Sequence, residues 1–285
     1  MKILGWTAVV AGFFVVASLL VFLMAVHPPR LAIPLRPADV GLAVEDVTVL
    51  TDDGLRLAGW LTQGPGDAAV VLLHGYPANK ADMLPLAVAL APSFTTLLLD
   101  QRYFGGSEGR VTTLGHRERR DLARAIDLLE ARGARTVGVF GFSYGGAVAL
   151  LAAAEDPRIH AVAAYAPFAD LAALAHDLYR WLWVLRHPFV QLTRLWSRVF
   201  LGADITRPTP VDAAARLTIP VWLIASRDDE QIPVHHAERL ARALAANPRA
   251  EVDLTFDGRH GALPADFGQR LARYFERHLH AGGRP

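Results

Sequence analysis

The chain has 285 residues, which suffices for one large α/β domain or for two small ones. Its formal net charge of +1, with both signs spread along the chain, gives no reason to expect a nucleic-acid partner. The absence of cysteine excludes disulfide bonds, thiolate metal ligands and a cysteine nucleophile.

The chain begins with an apolar segment that is long enough to cross a membrane. Residues 3–26 carry no formal charge, and as a helix they would extend roughly 36 Å, against a hydrocarbon core of about 30 Å. A cleaved signal peptide would have a shorter apolar region and a small-residue cleavage site, whereas this segment ends in "HPPR". We therefore predict a retained single-pass anchor over 1–26, with a cleaved signal peptide and a buried helix as alternatives. Positive charge is balanced on its two flanks and does not orient it.

A proline-rich stretch, "HPPRLAIPLRPADVG" (27–41), follows and predicts an extended spacer. A folded domain is expected over 42–285. It opens with two short strands joined by Asp52-Asp53-Gly54, because Asp-Gly between apolar runs is a strong hairpin signal.

Apolar strands then alternate with helices. Continuous apolar runs such as "AAVVLLH" (68–74), "FTTLLLD" (94–100) and "TVGVFG" (136–141) are typical of strands buried on both faces. Further strands are predicted over 159–167, 219–226 and 251–256, and helices over 79–91, 114–132, 144–155 and 263–279. In the last helix, Leu263 is expected on the apolar face together with Phe267. The alternation predicts an α/β fold, with a mostly parallel sheet covered by helices on both sides.

An insertion at about 170–215 interrupts this alternation. Its segment "HDLYRWLWVLRHPFVQLTRLWSRVF" (176–200) holds three of the six tryptophans, interleaved with arginines. Two interpretations are open. The aromatic side chains could pack on the main domain as part of two amphipathic helices, or they could form a lid that contacts substrate or lipid headgroups.

The motif "GFSYG" (141–145) stands between a predicted strand and a predicted helix. It matches G-x-S-x-G, in which a serine is held on a sharp strand-to-helix turn. The flanking glycines remove Cβ atoms that would collide there, and the N–H groups of the helix start can stabilise an anion. This context favours Ser143 as a nucleophile over a simple tight turn.

A serine nucleophile needs a histidine base and a carboxylate that orients the base. Both residue types follow Ser143 at the ends of predicted strands. "SRDDEQIP" contains Asp228 and Asp229, and "GRHG" contains His260. The order Ser, Asp, His is the one expected for this architecture.

Together with "HGYPANKADM" (74–83) and "LLLDQRYFGGSEG" (97–109), these segments resemble the α/β-hydrolase superfamily. The similarity is to membrane-anchored bacterial serine hydrolases related to the dienelactone hydrolase and prolyl oligopeptidase branches. It covers roughly 45–281 without the insertion, and it implies the α/β-hydrolase fold with a helical cap.

The resemblance also assigns roles to single residues. In the family, D-x-x-[IV]-P marks the triad acid, which here selects Asp229 rather than Asp228. The oxyanion hole would be formed by the backbone N–H groups of Tyr76 and Tyr144. The chain departs from the family pattern at Tyr103, where glycine is common.

The predicted function is cleavage of a carboxylic ester through an acyl-enzyme, with a triad of Ser143, His260 and Asp229. The same residues would serve an amide or peptide hydrolase or an acyltransferase, because the histidine can also protonate an amine leaving group. A non-catalytic binding module is disfavoured because all three residue types are present. The expected partners are a small-molecule or lipid-like acyl substrate and, through the N-terminal helix, a membrane.

Neither a metal nor a cofactor is expected. The chain has no nucleotide-binding fingerprint. His235 and His236 are adjacent in a predicted helix, and successive helical positions do not share a face, which argues against a metal site there. His74 is expected to be a structural hydrogen-bonding residue beside the oxyanion loop.

Overall fold

The computed structural model describes residues 2–280, so Met1 and 281–285, the outer ends of the predicted anchor and domain, lie outside the described residues. Within this range eight strands form one sheet, in the order β1-β2-β4-β3-β5-β6-β7-β8. The strands are β1 (Glu45–Leu50), β2 (Arg56–Thr62), β3 (Ala68–Leu73), β4 (Thr95–Leu99), β5 (Thr136–Phe142), β6 (Ile159–Tyr165), β7 (Val221–Ser226) and β8 (Ala250–Phe256). β2 pairs antiparallel with β1 and with β4, and the other pairs are parallel. The predicted α/β fold with a mostly parallel sheet is confirmed.

The helices are α1 (Lys2–Val26), α2 (Leu84–Leu90), α3 (Glu118–Ala131), α4 (Tyr144–Ala153), α5 (Leu171–Leu178), α6 (Arg186–Leu201), α7 (Pro210–Ala214), α8 (His235–Leu244) and α9 (Phe267–Leu279). Short 3₁₀ turns lie at Pro37–Val40, Lys80–Met83 and Arg180–Leu185.

The central strands are buried on both faces because helices cover each side. In β3, Val70 and Leu72 point towards α2 and α9, whereas Val71 and Leu73 point towards α3, α4 and α8. All six β3 residues are buried, which accounts for the continuous apolar run in the sequence.

Three helices begin later than predicted, and α2 does so because a 3₁₀ turn over Lys80–Met83 precedes it. Leu114 and Gly115 have φ values of 50° and 101°, so the chain turns there and α3 begins at Glu118, whose carboxylate accepts the N–H of Gly115. The last helix begins at Phe267 and not at residue 263, after a turn in which the N–H of Phe267 donates to the carbonyl of Pro264. Leu263 is therefore exposed and does not join the apolar face of α9.

The insertion contains α5, a 3₁₀ turn, α6 and α7, and the first three of these elements cover the sheet edge at which β5 ends. Trp181 and Trp183, on the 3₁₀ turn, are 75% and 78% exposed, so they do not pack on the main domain. Trp196 of α6 is partly buried and donates its indole N–H to Ser18 Oγ of α1 at 3.0 Å. Only part of the aromatic set therefore fits the packing interpretation.

Of the helices described, α1 alone is long and apolar enough to cross a membrane. Its segment Val9–Val26 has a mean hydropathy of 2.8, and 17% of that segment is buried. The helix is therefore not a core helix of the domain, although one face near its C-terminal end contacts α6.

The proline-rich segment after α1 follows the surface of the domain. Tyr103 Oη donates to the carbonyl of Pro28 at 2.6 Å, and Asn79 Nδ2 donates to the carbonyl of Leu31 at 2.8 Å. Ile33 and Leu35 pack against the core between the sheet and α2. The backbone of Tyr103 is left-handed, with φ 76°, a conformation in which glycine is favoured. The departure from the family pattern thus supplies a side chain that holds this segment.

Candidate active site

Ser143 stands on the turn between β5 and α4, with φ 53° and ψ −114°. A serine with positive φ is strained, and the N–H of Ser143 is held by the carbonyl of Tyr165 at 2.7 Å. A Cβ atom added to Gly145 would lie 2.5 Å from the carbonyl oxygen of Leu73. A side chain at Gly141 would likewise collide with the backbone of Gly145. The two glycines of the motif are required by these contacts.

His260 connects Ser143 to Asp229. Its Nε2 lies 3.0 Å from Ser143 Oγ, and its Nδ1 lies 2.7 Å from Asp229 Oδ2. A carboxylate only accepts, so Nδ1 carries the hydrogen and Nε2 accepts from the serine hydroxyl. The side chains of His260 and Asp229 are 7% and 2% exposed. A carboxylate, an imidazole and a hydroxyl thus form one continuous hydrogen-bonded chain.

The structure separates the two adjacent aspartates. Asp229 Oδ1 accepts the backbone N–H groups of Gln231 and Ile232 at 2.9 and 2.8 Å, which fixes the carboxylate towards His260. Asp228 is exposed. Its backbone N–H donates to Ser226 Oγ at 3.0 Å.

The loop that carries His260 is also held by a residue that the sequence analysis missed. The backbone N–H of His260 donates to Glu230 Oε2 at 3.1 Å, and this hydrogen bond lowers the pKa of Glu230. On its other side the His260 ring lies 4.9 Å from the ring of Phe142, between centroids. Glu230 directly follows the two aspartates in the sequence, and that proximity was the available signal.

Tyr76 and Tyr144, the expected oxyanion donors, border the same cavity as Ser143. Tyr144 is the first residue of α4, where backbone N–H groups have no partner within the helix. Burial raises the pKa of Tyr76 to about 12 and that of Tyr144 well above its ordinary value, so both phenols are neutral. The side chain of Tyr76 donates to the carbonyl of Ala25 at 3.1 Å.

A cavity of about 630 Å³ opens beside Ser143. Its walls are mainly apolar, and much of the lining comes from the loop and helix after β6, from the cap helix α6 and from α1. The apolar lining includes Phe168, Leu171, Leu174, Leu178, Val190, Val21, Phe22 and Ala25. Mainly apolar walls suit a hydrocarbon group.

Comparison with known proteins identifies the family. Residues 68–187 match the model of the alpha/beta hydrolase fold. An uncharacterized Mycobacterium tuberculosis protein is 32% identical over 219 residues, which span 74% of this chain and 70% of that protein. The chain belongs to the α/β-hydrolase superfamily.

Two further similarities concern this hydrolase. The structure of esterase Pf2001 from Pyrococcus furiosus superposes with a TM-score of 0.72 at 25% identity, over 90% of this chain and 98% of that one. A polyketide transferase from Stachybotrys chlorohalonatus is 35% identical over 134 residues, which span 44% of this chain and 45% of the transferase.

Outside this site, the hydrolase gathers three groups that each offer one ligand atom: Asp177, His235 and His236. Contrary to the expectation that adjacent histidines point apart, both Nε2 atoms lie 3.0 Å from Asp177 Oδ2. The rings stack at the start of α8, where both reach one acceptor on α5. His236 Nδ1 accepts the N–H of Ala169 at 3.2 Å, so Nε2 carries the hydrogen and donates to Asp177. Burial lowers the pKa of His236 to about 4. Both of its ring nitrogens are engaged, Nδ1 with the loop after β6 and Nε2 with α5 of the insertion.

His74 of the hydrolase is fully buried beside the oxyanion loop. Its Nδ1 donates to the carbonyl of Gly75 at 2.8 Å, and its Nε2 accepts the N–H of Gln101 at 3.1 Å. Burial lowers its pKa. Both ring nitrogens are used, as expected for a structural histidine.

Proposed function

We propose that the chain is a serine hydrolase that cleaves a carboxylic ester through an acyl-enzyme. Ser143 is the nucleophile, His260 the base and Asp229 the acid that orients the base. The observation that carries the proposal is the hydrogen-bonded chain from Asp229 through His260 to a serine on a strained turn, at the wall of an apolar cavity. The similarity to an esterase at 25% identity supports the same reaction class.

In the acylation step, Ser143 Oγ attacks the ester carbonyl carbon while its proton passes to His260 Nε2, 3.0 Å away. The backbone N–H groups of Tyr76 and Tyr144 donate hydrogen bonds to the carbonyl oxygen and stabilise the negative charge that develops on it. The bond between the acyl carbon and the alcohol oxygen then breaks, and His260 Nε2–H protonates the leaving alkoxide. Asp229 keeps Nδ1 protonated and stabilises the imidazolium.

In the deacylation step, His260 takes a proton from water, and the resulting hydroxide attacks the acyl carbon. The bond to Ser143 Oγ breaks, and His260 returns the proton to Oγ. The carboxylic acid product leaves, and the serine hydroxyl is regenerated.

The proposed location is a membrane, with α1 as a single-pass attachment. Two observations support it. The apolar segment Val9–Val26 is little buried, and Trp181 and Trp183 project from the cap into solvent. Tryptophan is favoured at the membrane–water interface. The cap would then lie as a lid at the bilayer surface.

Acyl transfer is a second candidate, favoured by the similarity to a polyketide transferase. The acyl-enzyme would be the same, and an alcohol would replace water as the attacking group. Mass spectrometry of the products in the presence of an added alcohol separates the two reactions. A free acid supports hydrolysis, and a new ester supports transfer.

The test of the nucleophile uses the full-length protein in detergent with a fluorophosphonate probe. Ser143→Ala is expected to abolish covalent labelling and hydrolysis of p-nitrophenyl butyrate. Ser93→Ala is the control, because Ser93 Oγ donates to Glu276 far from the site, and it should label like the wild type. Labelling that persists in Ser143→Ala would refute the assignment.

A further inference from the structure

The end of α1 forms part of the wall of the cavity that contains Ser143. Val21, Phe22 and Ala25 line it together with the serine. On the same helix, Val16 is 54% exposed and does not line the cavity. The apolar helix thus has one face towards the reaction centre and another towards its surroundings.

Contacts with the cap fix this face. The ring of Phe14 lies 5.5 Å from that of Phe189, and the ring of Phe22 lies 6.2 Å from that of Phe200. The residue numbers on α1 and on α6 increase in the same direction from the first pair to the second, so the two helices run parallel. The paired stretch, from residue 14 to residue 22, is about 12 Å long.

The reaction centre itself contacts the last turn of α1. The hydroxyl of Tyr76, whose backbone N–H is a proposed oxyanion donor, donates to the carbonyl of Ala25 at 3.1 Å. The carbonyl of Val26 accepts the N–H of Thr112 at 3.0 Å, and Thr112 in turn contacts the hydroxyl of Tyr144 at 3.1 Å. These bonds hold the helix end in place beside the site.

The apolar wall and the apolar helix are the same element. Val21, Phe22 and Ala25 line the cavity and also belong to the segment Val9–Val26, which is apolar enough to cross a membrane. In the proposed membrane-attached state, a hydrocarbon chain that enters the cavity therefore contacts the helix that attaches the protein, and a substrate in the same membrane is held close to the site.

We propose that residues 21–25 of α1 form the acyl-binding wall of the enzyme and that its substrate is a long-chain acyl ester of an amphiphile, taken from the membrane. This inference rests on the proposed function of Ser143. It assigns α1 a role in substrate selection in addition to attachment.

The first experiment compares two equal substitutions on opposite faces of α1 in the full-length protein in detergent. In Val21→Trp, the indole is expected to occupy the part of the cavity that would hold a long acyl chain. The ratio of kcat/KM for p-nitrophenyl dodecanoate to kcat/KM for p-nitrophenyl acetate should therefore fall by at least about tenfold. Val16→Trp should leave the ratio within about twofold of the wild type. An unchanged ratio in Val21→Trp, or equal changes in both variants, would overturn the proposal.

If Val21→Trp does not fold, its fluorophosphonate labelling will be lost, and a second variant is then needed. Val21→Ala enlarges the wall and is expected to shift the preferred p-nitrophenyl ester to a longer acyl chain. A preference identical to that of the wild type would count against a role of Val21.

The third experiment needs no substitution. A dodecyl fluorophosphonate with a diazirine at its chain end is reacted with the wild-type protein and then irradiated. Peptide mapping is expected to find cross-links on residues 21–25. Labelling of Ser143 with cross-links only outside α1 would refute this inference and leave the proposed function intact. Absence of the Ser143 adduct would refute the proposed function, and this inference with it.

Discussion

The carboxyl edge of the sheet and the cap with α1 are held together by different interactions. At the sheet edge, Ser143, His260 and Asp229 are positioned by hydrogen bonds and by glycines that admit no side chain. The cap meets α1 mainly through apolar and aromatic contacts, with exposed tryptophans at its tip. The first region tolerates little displacement, and the second can change its side chains without disturbing the reacting atoms. This division fits the proposed function, in which the sheet edge sets the reaction type and the cap and α1 set the choice of substrate.

The largest expected effect belongs to the sheet edge. Asp229→Asn should lower kcat by about 10⁴, because the amide no longer holds the imidazole in the reactive tautomer. Asp228→Asn is the matched control, since Asp228 is exposed, and it should cost less than about tenfold. Steady-state kinetics with p-nitrophenyl butyrate measures both. A larger loss in Asp228→Asn than in Asp229→Asn would mean that Asp228, and not Asp229, is the acid that orients His260.

The second prediction concerns His236, which joins the two regions. Its pKa is lowered to about 4 from 6.5 by burial, so between these values the unfolded chain binds a proton that the folded chain does not. The stabilisation is complete above the unfolded value and is lost as the pH falls through 6.5 towards 4. The free energy of unfolding should fall by about 2 kcal/mol between about pH 7 and about pH 5 through this residue, and by about 3 kcal/mol in total.

The measurement is urea unfolding of the full chain in detergent. His236→Gln keeps a donor for Asp177 and cannot titrate, so the difference in unfolding free energy between the wild type and this variant should shrink on acidification. His278→Gln is the control, because its ring lies at the far end of α9. Parallel pH profiles of the wild type and His236→Gln would contradict the prediction.

Most candidate site residues at the sheet edge could be predicted from the sequence, because the backbone constraints on them act between residues close together in the chain. Gly141, Ser143 and Gly145 sit within one turn, and the acid is marked by the residues that follow it. Docking of α1 could not be predicted in this way. An apolar helix has the same composition whether its faces contact lipid or protein, and Ser18 meets Trp196 across a large separation in the chain. The pairing of His235 with His236 was missed because the shared acceptor, Asp177, lies on another element.

The third prediction concerns the tip of the cap. Trp181→Ala combined with Trp183→Ala should lower activity on a long-chain ester carried in anionic vesicles by about tenfold, since each exposed indole would contribute to interfacial contact. Activity on p-nitrophenyl acetate and the Tm should stay unchanged. Trp196→Ala, which removes a hydrogen bond to Ser18, should instead lower the Tm. Equal losses on both substrates in the double variant would reject the lid.

The smallest effect is expected at Glu230, at the margin of the sheet edge. Glu230→Gln retains an acceptor for the N–H of His260 but loses the charge, and kcat should fall by about threefold. Glu230→Ala should cost more, because the histidine loop then loses that acceptor. Stopped-flow acylation with p-nitrophenyl acetate resolves both changes. Identical rates for the wild type and Glu230→Ala would contradict a positioning role for Glu230.

The hydrogen bond from the hydroxyl of Tyr103 to the carbonyl of Pro28 affects how the protein would encounter its substrate. A flexible tether would let the catalytic domain rotate about α1 and sample the bulk solution. In the proposed membrane-attached state, the hydrogen bond directly after the helix removes this rotational freedom, and the mouth of the site keeps one orientation towards the bilayer. Encounters with substrate then become lateral diffusion in two dimensions. The rate should follow the mole fraction of substrate in the membrane, and diluting that substrate with inert lipid should slow turnover even at constant bulk concentration.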